Sequence, residues 1–316
     1  MNRYKPVDLT KTKRSPLRER KSKVDLREFA SPYSKGADFY SFLNSLPDIL
    51  AAKDLKEVIK AVVRTFKNKR VVAIGMGAHP IKVGLSPVII DLMERGIITS
   101  IALNGAGIIH DFELAMIGQT SEEVASEIDS GSFGMADETG RILNEAIKKG
   151  VRDGKGIGEA VGSYISSAKD IPYINKSILA SAFGLGIPVT VHVAIGTDII
   201  HMHPSADGSA IGEGSLIDFR IFSSIAANLE KGVYINIGSS VIMPEVFLKA
   251  ITIARNLGYN VKEFTTVNMD FLRHYRPITN ILNRPTQKGG KGYSLIGHHE
   301  IMLPLLAAGI IEELSQ

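Results

Sequence analysis

The sequence predicts an α/β fold: a doubly wound, mostly parallel sheet, Rossmann-related, with helices on both faces. Three observations predict it. Five short apolar segments, 70–74, 97–103, 188–195, 232–237 and 261–267, read as strands. Stretches of helical spacing separate them. Several strand ends run into Gly-rich turns, the place where open α/β sheets present backbone to a ligand.

Residues 1–36 show no apolar periodicity and are expected to form an arm, with 37–316 a single α/β domain. Helices are expected over 38–50 and 54–67. The second places Leu55, Val58, Ile59, Val62 and Val63 on one face. The first strand ends in Gly75-Met76-Gly77-Ala78-His79-Pro80, and a helix over 87–95 stops at Gly96. The second strand ends in Asn104-Gly105-Ala106-Gly107, and a helix follows His110 and Asp111. Segment 121–135 reads as loop, and 137–149 and 156–168 as helices. The β-branched third strand leads to a loop rich in Gly, Ser and Asp and then an amphipathic stretch over 216–229. The fourth ends in Gly238-Ser239-Ser240, with Pro244 placed to open the next helix. A long loop over 268–297 and a helix over 299–313 complete the chain.

Composition narrows the function classes. The hydrophobic content of 44% and charged content of 22% suit a soluble globular chain. No apolar run approaches the ~18 residues of a membrane span, and the N-terminus lacks an apolar signal core, so a cytoplasmic location is expected. With Cys 0, a thiolate metal site and a thiol nucleophile are both excluded. Residues 1–23, from Arg3 to Lys23, hold nine basic side chains against Asp8 and Glu19. That surplus of seven leaves the remainder at −3 of the net +4, so the high pI does not point to nucleic acid.

Candidate site residues cluster at predicted strand ends. Gly75/Gly77, Gly105/Gly107, Gly212/Gly214 and Gly238 let backbone approach a phosphate or ribose, although none forms G-x-G-x-x-G. His79, His110, His201, His203, His298 and His299 lie near strand ends or helix starts. On an extended segment His201 and His203 share a face, as metal ligands do, but the expected reading is a pair of hydrogen-bonded loop histidines. Glu213 and Asp218 bracket Gly214-Ser215-Leu216-Ile217 at an expected helix start, where carboxylates suit the dipole or hold a ligand. Lys288 and Lys291, in Q-K-G-G-K-G-Y, are solvated surface lysines, a phosphate cradle, or an imine-forming amine.

Five segments together resemble the deoxyhypusine synthase family over about residues 70–312. Gly77 to Gly84 is similar in position to the family's T-S-N-L-I-S-S-G, and Asn104 to Asp111 to T-A-G-G-V-E-E-D. Ile187-Pro188, followed by Gly214-Ser215-Leu216-Ile217-Asp218, resembles I-P-V followed by D-G-S-L-G-D. Gly238-Ser239-Ser240 stands where the family has G-G-G-V. Arg284-Pro285, Gly290-Lys291 and Pro304-Leu305-Leu306 match R-P-D-E, G-K and F-P-L-L.

The resemblance implies an NAD-dependent transferase that moves an aminobutyl group from a polyamine through a lysine imine. It implies a small-molecule amine substrate and a homo-oligomer built as a dimer of dimers. Membrane, nucleic acid and metal are not expected partners. Carried over, Lys291 is the imine-forming lysine, Asp218 and Glu245 hold cationic nitrogens, and His110 stands in the active site. Gly77, His79, Asn104, Gly105, Ala106, Glu213, Gly238, Ser239, Ser240 and His298 line NAD, Glu213 on a ribose. The chain departs from the family at His110, which replaces a glutamate, and at Glu245, near the family's histidine. Gly77-Ala78-His79 replaces T-S-N, tryptophan is absent, and H-M-H-P has no counterpart. Two alternatives stand beside this reading: a metal-dependent enzyme of the same fold using His201 and His203, and a non-catalytic nucleotide-binding or assembly protein.

Overall fold

Among the described residues, six strands form one parallel sheet: β1 (Val72–Met76), β2 (Ser100–Asn104), β3 (Val189–His192), β4 (Val233–Ile237), β5 (Thr265–Asp270) and β6 (Lys291–Ile296). Their spatial order is β3-β2-β1-β4-β5-β6. The computed structural model describes residues 4–316; Arg3 of the basic arm lies outside the described residues. Side chains alternate across a strand, so a sheet covered on both faces builds two cores. Val72, Ile74 and Met76 of β1 enter one apolar cluster with Ile101, Leu103, Val233, Ile235 and Ile237. Ala73, Ala102 and Tyr234 enter the other.

Residues 4–35 are exposed apart from a partly covered Glu28 and carry three short 3-10 turns, Leu9–Lys11, Leu17–Glu19 and Leu26–Glu28. Ser31 donates its N–H to Ser45 O (2.9 Å) and Asp48 to Glu28 O (2.8 Å), which ties the end of the arm to the body. Helices α1 (Phe39–Ser45) and α2 (Leu50–Lys67) replace the expected pair at 38–50 and 54–67. Pro47 disfavours helical backbone before it, so the first helix ends early. After β1 come α3 (His79–Lys82) and α4 (Ser86–Glu94), and after β2 comes α5 (Gly105–Ile117). Then α6 (Val124–Ser130), α7 (Asp137–Arg152), α8 (Ile157–Ser167) and α9 (Ile178–Leu185) precede β3. α10 (Gly208–Ala227) leads to β4, and α11 (Ile242–Asn256) to β5. The single turn α12 (Tyr275–Pro277) and a π turn, Ile278–Asn283, precede β6, and α13 (His299–Leu314) ends the chain. Among the described residues, no helix is long and apolar enough to cross a membrane.

Several expectations are corrected. The long loop over 268–297 contains β6, an edge strand in which only Leu295 is buried, so it has no apolar run to betray it. β5 sits at 265–270 rather than 261–267, because Thr266 and Asn268 are buried strand residues. α6 occupies the expected loop at 121–135, and α9 fills a stretch given no helix. The Gly-Ser loop before Leu216 is the first half of α10, capped by Asp207, whose Oδ1 accepts from Ser209 and Ala210 N–H. Gly212/Gly214 therefore form no strand-end turn.

α10 also closes the β3 edge. Asp218 is fully buried, and its Oδ2 accepts N–H groups from Val191 (2.8 Å) and Gly158 (3.0 Å). Ser215 Oγ accepts from Val193 N–H (3.3 Å) and donates to Val191 O (3.2 Å). The open N–H row of an edge strand is thus satisfied by side chains of one helix. Burial raises the Asp218 carboxyl to about 7, against three backbone donors that pull it down.

Asp218→Ala should lower the urea midpoint by ~2–4 kcal/mol equivalent, because buried N–H groups lose their acceptor. The folded pKa lies above the unfolded 3.8, so this group's contribution is fully present below about pH 4 and is lost as pH rises through about 7. Asp218→Asn should flatten that part of the pH–stability curve between about pH 4 and 7; an unchanged curve would count against the assignment.

Candidate functional site

The strand order places a topological switch point between β1 and β4, and in open α/β sheets ligands bind outside the carboxyl ends of strands there. Met76 is in register with Leu103 on one side and Ile237 on the other, so Gly77, Asn104 and Gly238 fall on the next rung. Gly77 donates its N–H to Ile237 O (3.1 Å), and Gly238 to Met269 O (3.1 Å). A Cβ on Gly77 would lie 2.5 Å from the Gly238 carbonyl oxygen, so only glycine permits this approach. Gly238 has φ +62°, the left-handed region, which turns the chain towards α11. Ser239 Oγ accepts from Met243 N–H (3.1 Å) in the first turn of α11, and the partly exposed Ser240 follows it.

Histidines gather beside this rung. His79 Nδ1 lies 2.8 Å from His299 Nδ1, and His299 Nε2 lies 3.2 Å from Met269 O. His299 is fully buried, and burial lowers its pKa. His298 is exposed and stacks on Phe271, with centroids 5.8 Å apart and planes 10° apart. The His79 ring lies 6.0 Å from the same Phe271.

A cavity of about 190 Å³ opens beyond the ends of β2 and β3, lined by Lys82, Ala106, His110, Glu113 and Asp198, among others. Asn104 Oδ1 caps α5 by accepting from Gly107 N–H (3.1 Å), which leaves its amide NH₂ as a donor. Asp198 lies over Gly105, where a Cβ would fall 1.9 Å from Oδ2. That oxygen is buried without a hydrogen-bond partner, and burial raises the carboxyl's pKa. Thr120 donates to Glu113 Oε2 (2.5 Å), so the His110 Nδ1–H donates to Thr120 Oγ1 (2.6 Å). Burial, then the Lys82 charge, lowers His110 to about 4 and keeps it neutral.

Neither a protein-family model nor a curated protein matches the sequence. Solved structures do. A protein of Entamoeba histolytica described as a deoxyhypusine synthase superposes with TM-score 0.50 at 13% identity, over 90% of this chain and 96% of that one. The fold is deoxyhypusine synthase-like. AgrE, solved in a ternary complex with ornithine and NAD+, gives TM-score 0.52 at 13% identity, over 84% of this chain and 34% of its own. ArgZ, an arginine dihydrolase of the cyanobacterial ornithine–ammonia cycle, gives TM-score 0.52 at 15% identity, over 84% and 33%. The chain spans about a third of the AgrE and ArgZ lengths.

In this deoxyhypusine synthase-like frame, the structure brings together Gly77, His79, Asn104, Gly105, Ala106, Gly238, Ser239 and Ser240, with His298 at the rim and His110 in the adjoining cavity. Four other carried-over residues lie elsewhere in this chain. Lys291 opens β6 opposite Thr265, and at ~3.3 Å per residue it lies roughly 16 Å from the carboxyl end of that strand. It lines an open cavity at the amino edge with Arg64, Arg70, Lys231 and Glu263, and does not face the crevice. Asp218 is fully buried, with Oδ2 on backbone N–H groups and Oδ1 without a hydrogen-bond partner. Glu213 is exposed in the second turn of α10, whose early start moved it off a strand-end turn. Glu245 is taken by Lys249, by Arg276 (3.3 Å) and by Asn280 Nδ2 (2.9 Å), and those cations hold its carboxyl below the usual range.

The His-x-His pair does not converge either. The segment forms a 3-10 turn, Ile199–Met202, rather than extended chain. His201 Nδ1 accepts N–H groups from Gly196 (3.2 Å) and Asp198 (3.3 Å), while His203 turns to Ser205 (2.7 Å) and Asp137 (3.4 Å). Among the described residues, no group of three His, Cys, Asp or Glu is placed to hold a metal ion. Sequence reasoning missed Lys82, Glu113, Asp198 and Phe271 as site residues. Asp198 stood in the Gly-Thr-Asp before H-M-H-P, and Phe271 inside the expected long loop, with no motif to mark either.

Two alanine substitutions separate the glycine roles. Gly77→Ala should destabilise by ~1–3 kcal/mol through overpacking on backbone. Gly212→Ala, with nothing within 4 Å and a helical position, should stabilise by up to about 1 kcal/mol. Thermal unfolding of both variants checks this, and equal effects would remove the distinction.

Proposed function

We propose that this chain binds a nicotinamide dinucleotide across the β1–β4 switch point and acts on a small amine there. The reading rests on one observation: the rung Gly77–Asn104–Gly238 follows the carboxyl ends of β1, β2 and β4, at the switch point of the strand order. The residues present fit such a group. Gly77 and Gly238 let β1, β4 and His299 pack without a side chain between them, and α5 and α11 begin at this edge, where the helix dipoles favour anions. The Asn104 amide and the Ser240 hydroxyl supply hydrogen-bond donors beside it. Bound nicotinamide supplies hydride acceptance. The adjoining cavity, with Asp198 and Glu113, suits the cationic end of an amine. The likeness to AgrE, solved with ornithine and NAD+, and to the Entamoeba protein supports the same reading at the level of fold.

Aminobutyl transfer through a lysine imine is the finer form of this proposal, and its support is the fold likeness. Lys291 at the amino edge is left out of it, so amine oxidation is the step we assign to this chain. We also propose that a second copy covers the arm, whose Leu9, Leu17, Leu26 and Phe29 are exposed. Light scattering should show an oligomer for the full chain and a smaller species after removal of residues 1–29; an unchanged assembly would rule the arm out as the contact.

Calorimetry tests the cofactor. Wild-type protein should bind NAD+, and Gly77→Ala should weaken binding by about tenfold or more, ~1.4 kcal/mol. Glu213→Ala and Lys291→Ala should leave the affinity within about twofold. Folded wild-type protein that takes up no NAD+ would overturn the reading.

A further inference from the structure

We propose that His79 is the proton acceptor of this site, acting through Nε2, and that His299 is the positioning residue that bares that atom. The inference rests on the amine-oxidation reading above, but its first test does not.

A carbonyl oxygen only accepts, so the contact between His299 Nε2 and Met269 O places a proton on Nε2. His299 is fully buried and its pKa is lowered, chiefly by desolvation, so the ring is neutral near pH 7. A neutral ring with Nε2–H has a bare Nδ1. The 2.8 Å contact to His79 Nδ1 is then a hydrogen bond that His79 donates. Neutral His79 therefore carries its proton on Nδ1 and a lone pair on Nε2. The chain from a β5 carbonyl through a buried histidine selects one tautomer of a half-buried one, as second-shell partners do for other functional histidines.

The placement suits proton transfer. His79 follows Gly77 by two residues, at the rung where the cofactor is proposed to lie. Phe271 lies beside both imidazoles, with centroids 6.0 Å and 6.1 Å away. A substrate ammonium gives one proton to Nε2. Its N–H bond breaks, the electron pair stays on the substrate nitrogen, and a new N–H bond forms on His79. One positive charge moves from substrate to ring, and the nitrogen lone pair is freed for the oxidation of its carbon. His299 Nδ1 then accepts a stronger hydrogen bond from the imidazolium.

Long-range proton–nitrogen NMR of the ¹⁵N-histidine-labelled full chain, near neutral pH and without ligand, tests the tautomers. The expected result is His79 protonated on Nδ1 and His299 on Nε2. His299→Leu should return His79 to the Nε2–H form. His299→Gln, whose amide oxygen can accept and whose NH₂ can donate, should keep it on Nδ1. Wild-type His79 found protonated on Nε2 overturns the proposal, whatever the variants show. With NAD+ and L-ornithine, putrescine or spermidine as probes, His79→Gln should cut NADH formation about 100-fold or more. The loss should fall on turnover far more than on NAD+ affinity. His299→Gln should retain more activity than His299→Leu, and equal loss in the two would overturn the positioning role. Failure of NAD+ binding would sink the cofactor reading and leave the tautomer result to stand or fall by itself.

Discussion

The carboxyl edge depends on one close approach, the backbone of Gly77 against the carbonyl of Gly238. β1 and β4 stay in register along their whole paired length, and neither strand end carries a side chain that would part them. The next residues then leave in directions set by main chain. His79 goes into α3 under the N-terminus of α13, and Ser239 caps α11. Rigid backbone on both sides of a switch point is what holds site groups in one geometry.

Parallel packing also decides which edge of the sheet carries helix N-termini. Crossover helices run back against their strands, so α5 and α11 present positive dipole ends at the carboxyl edge. The amino edge gathers Arg64, Arg70, Lys231 and Lys291 around Glu263, on exposed side chains that water screens. The helix N-termini lie at the opposite edge. Lys291 thus keeps its place in a family-like sequence pattern while lying outside the crevice.

Buried polar residues do structural work throughout. Asp218 and Ser215 finish the β3 edge. Asn236 Nδ2 donates to Asn268 Oδ1 (2.7 Å) and to Ser239 O (2.9 Å), joining β4, β5 and the switch-point turn. Asp111 accepts from Ser177 Oγ (2.5 Å) and Ile178 N–H (2.7 Å), holding the start of α9 against α5, although burial raises its carboxyl to about 6. Each group makes hydrogen bonds to backbone or to a neighbouring strand, although Asp218 Oδ1 and Asn236 Oδ1 are left without a partner.

The sequence by itself determined the α/β class, the parallel sheet and most of the rung at the switch point. Apolar runs with β-branched residues mark buried strands, and a glycine that ends such a strand signals a backbone approach whatever comes next. Hence 72–76, 100–104 and 233–237 were legible to within a few residues, as were Gly77, Asn104 and Gly238. β6 was not legible, because an edge strand buries little. The shift of β5 was hidden by Thr and Asn that only a neighbouring strand could satisfy. Tertiary structure alone decided the remaining assignments. Asp218 and Glu213 are five residues apart on α10; the fold buries one against backbone and exposes the other. Lys291 lies at the amino edge because β6 begins with it, a matter of register that no local pattern encodes. His79 and His299, 220 residues apart, meet only because α13 returns over the end of β1, and long-range packing of that kind leaves no trace in local spacing.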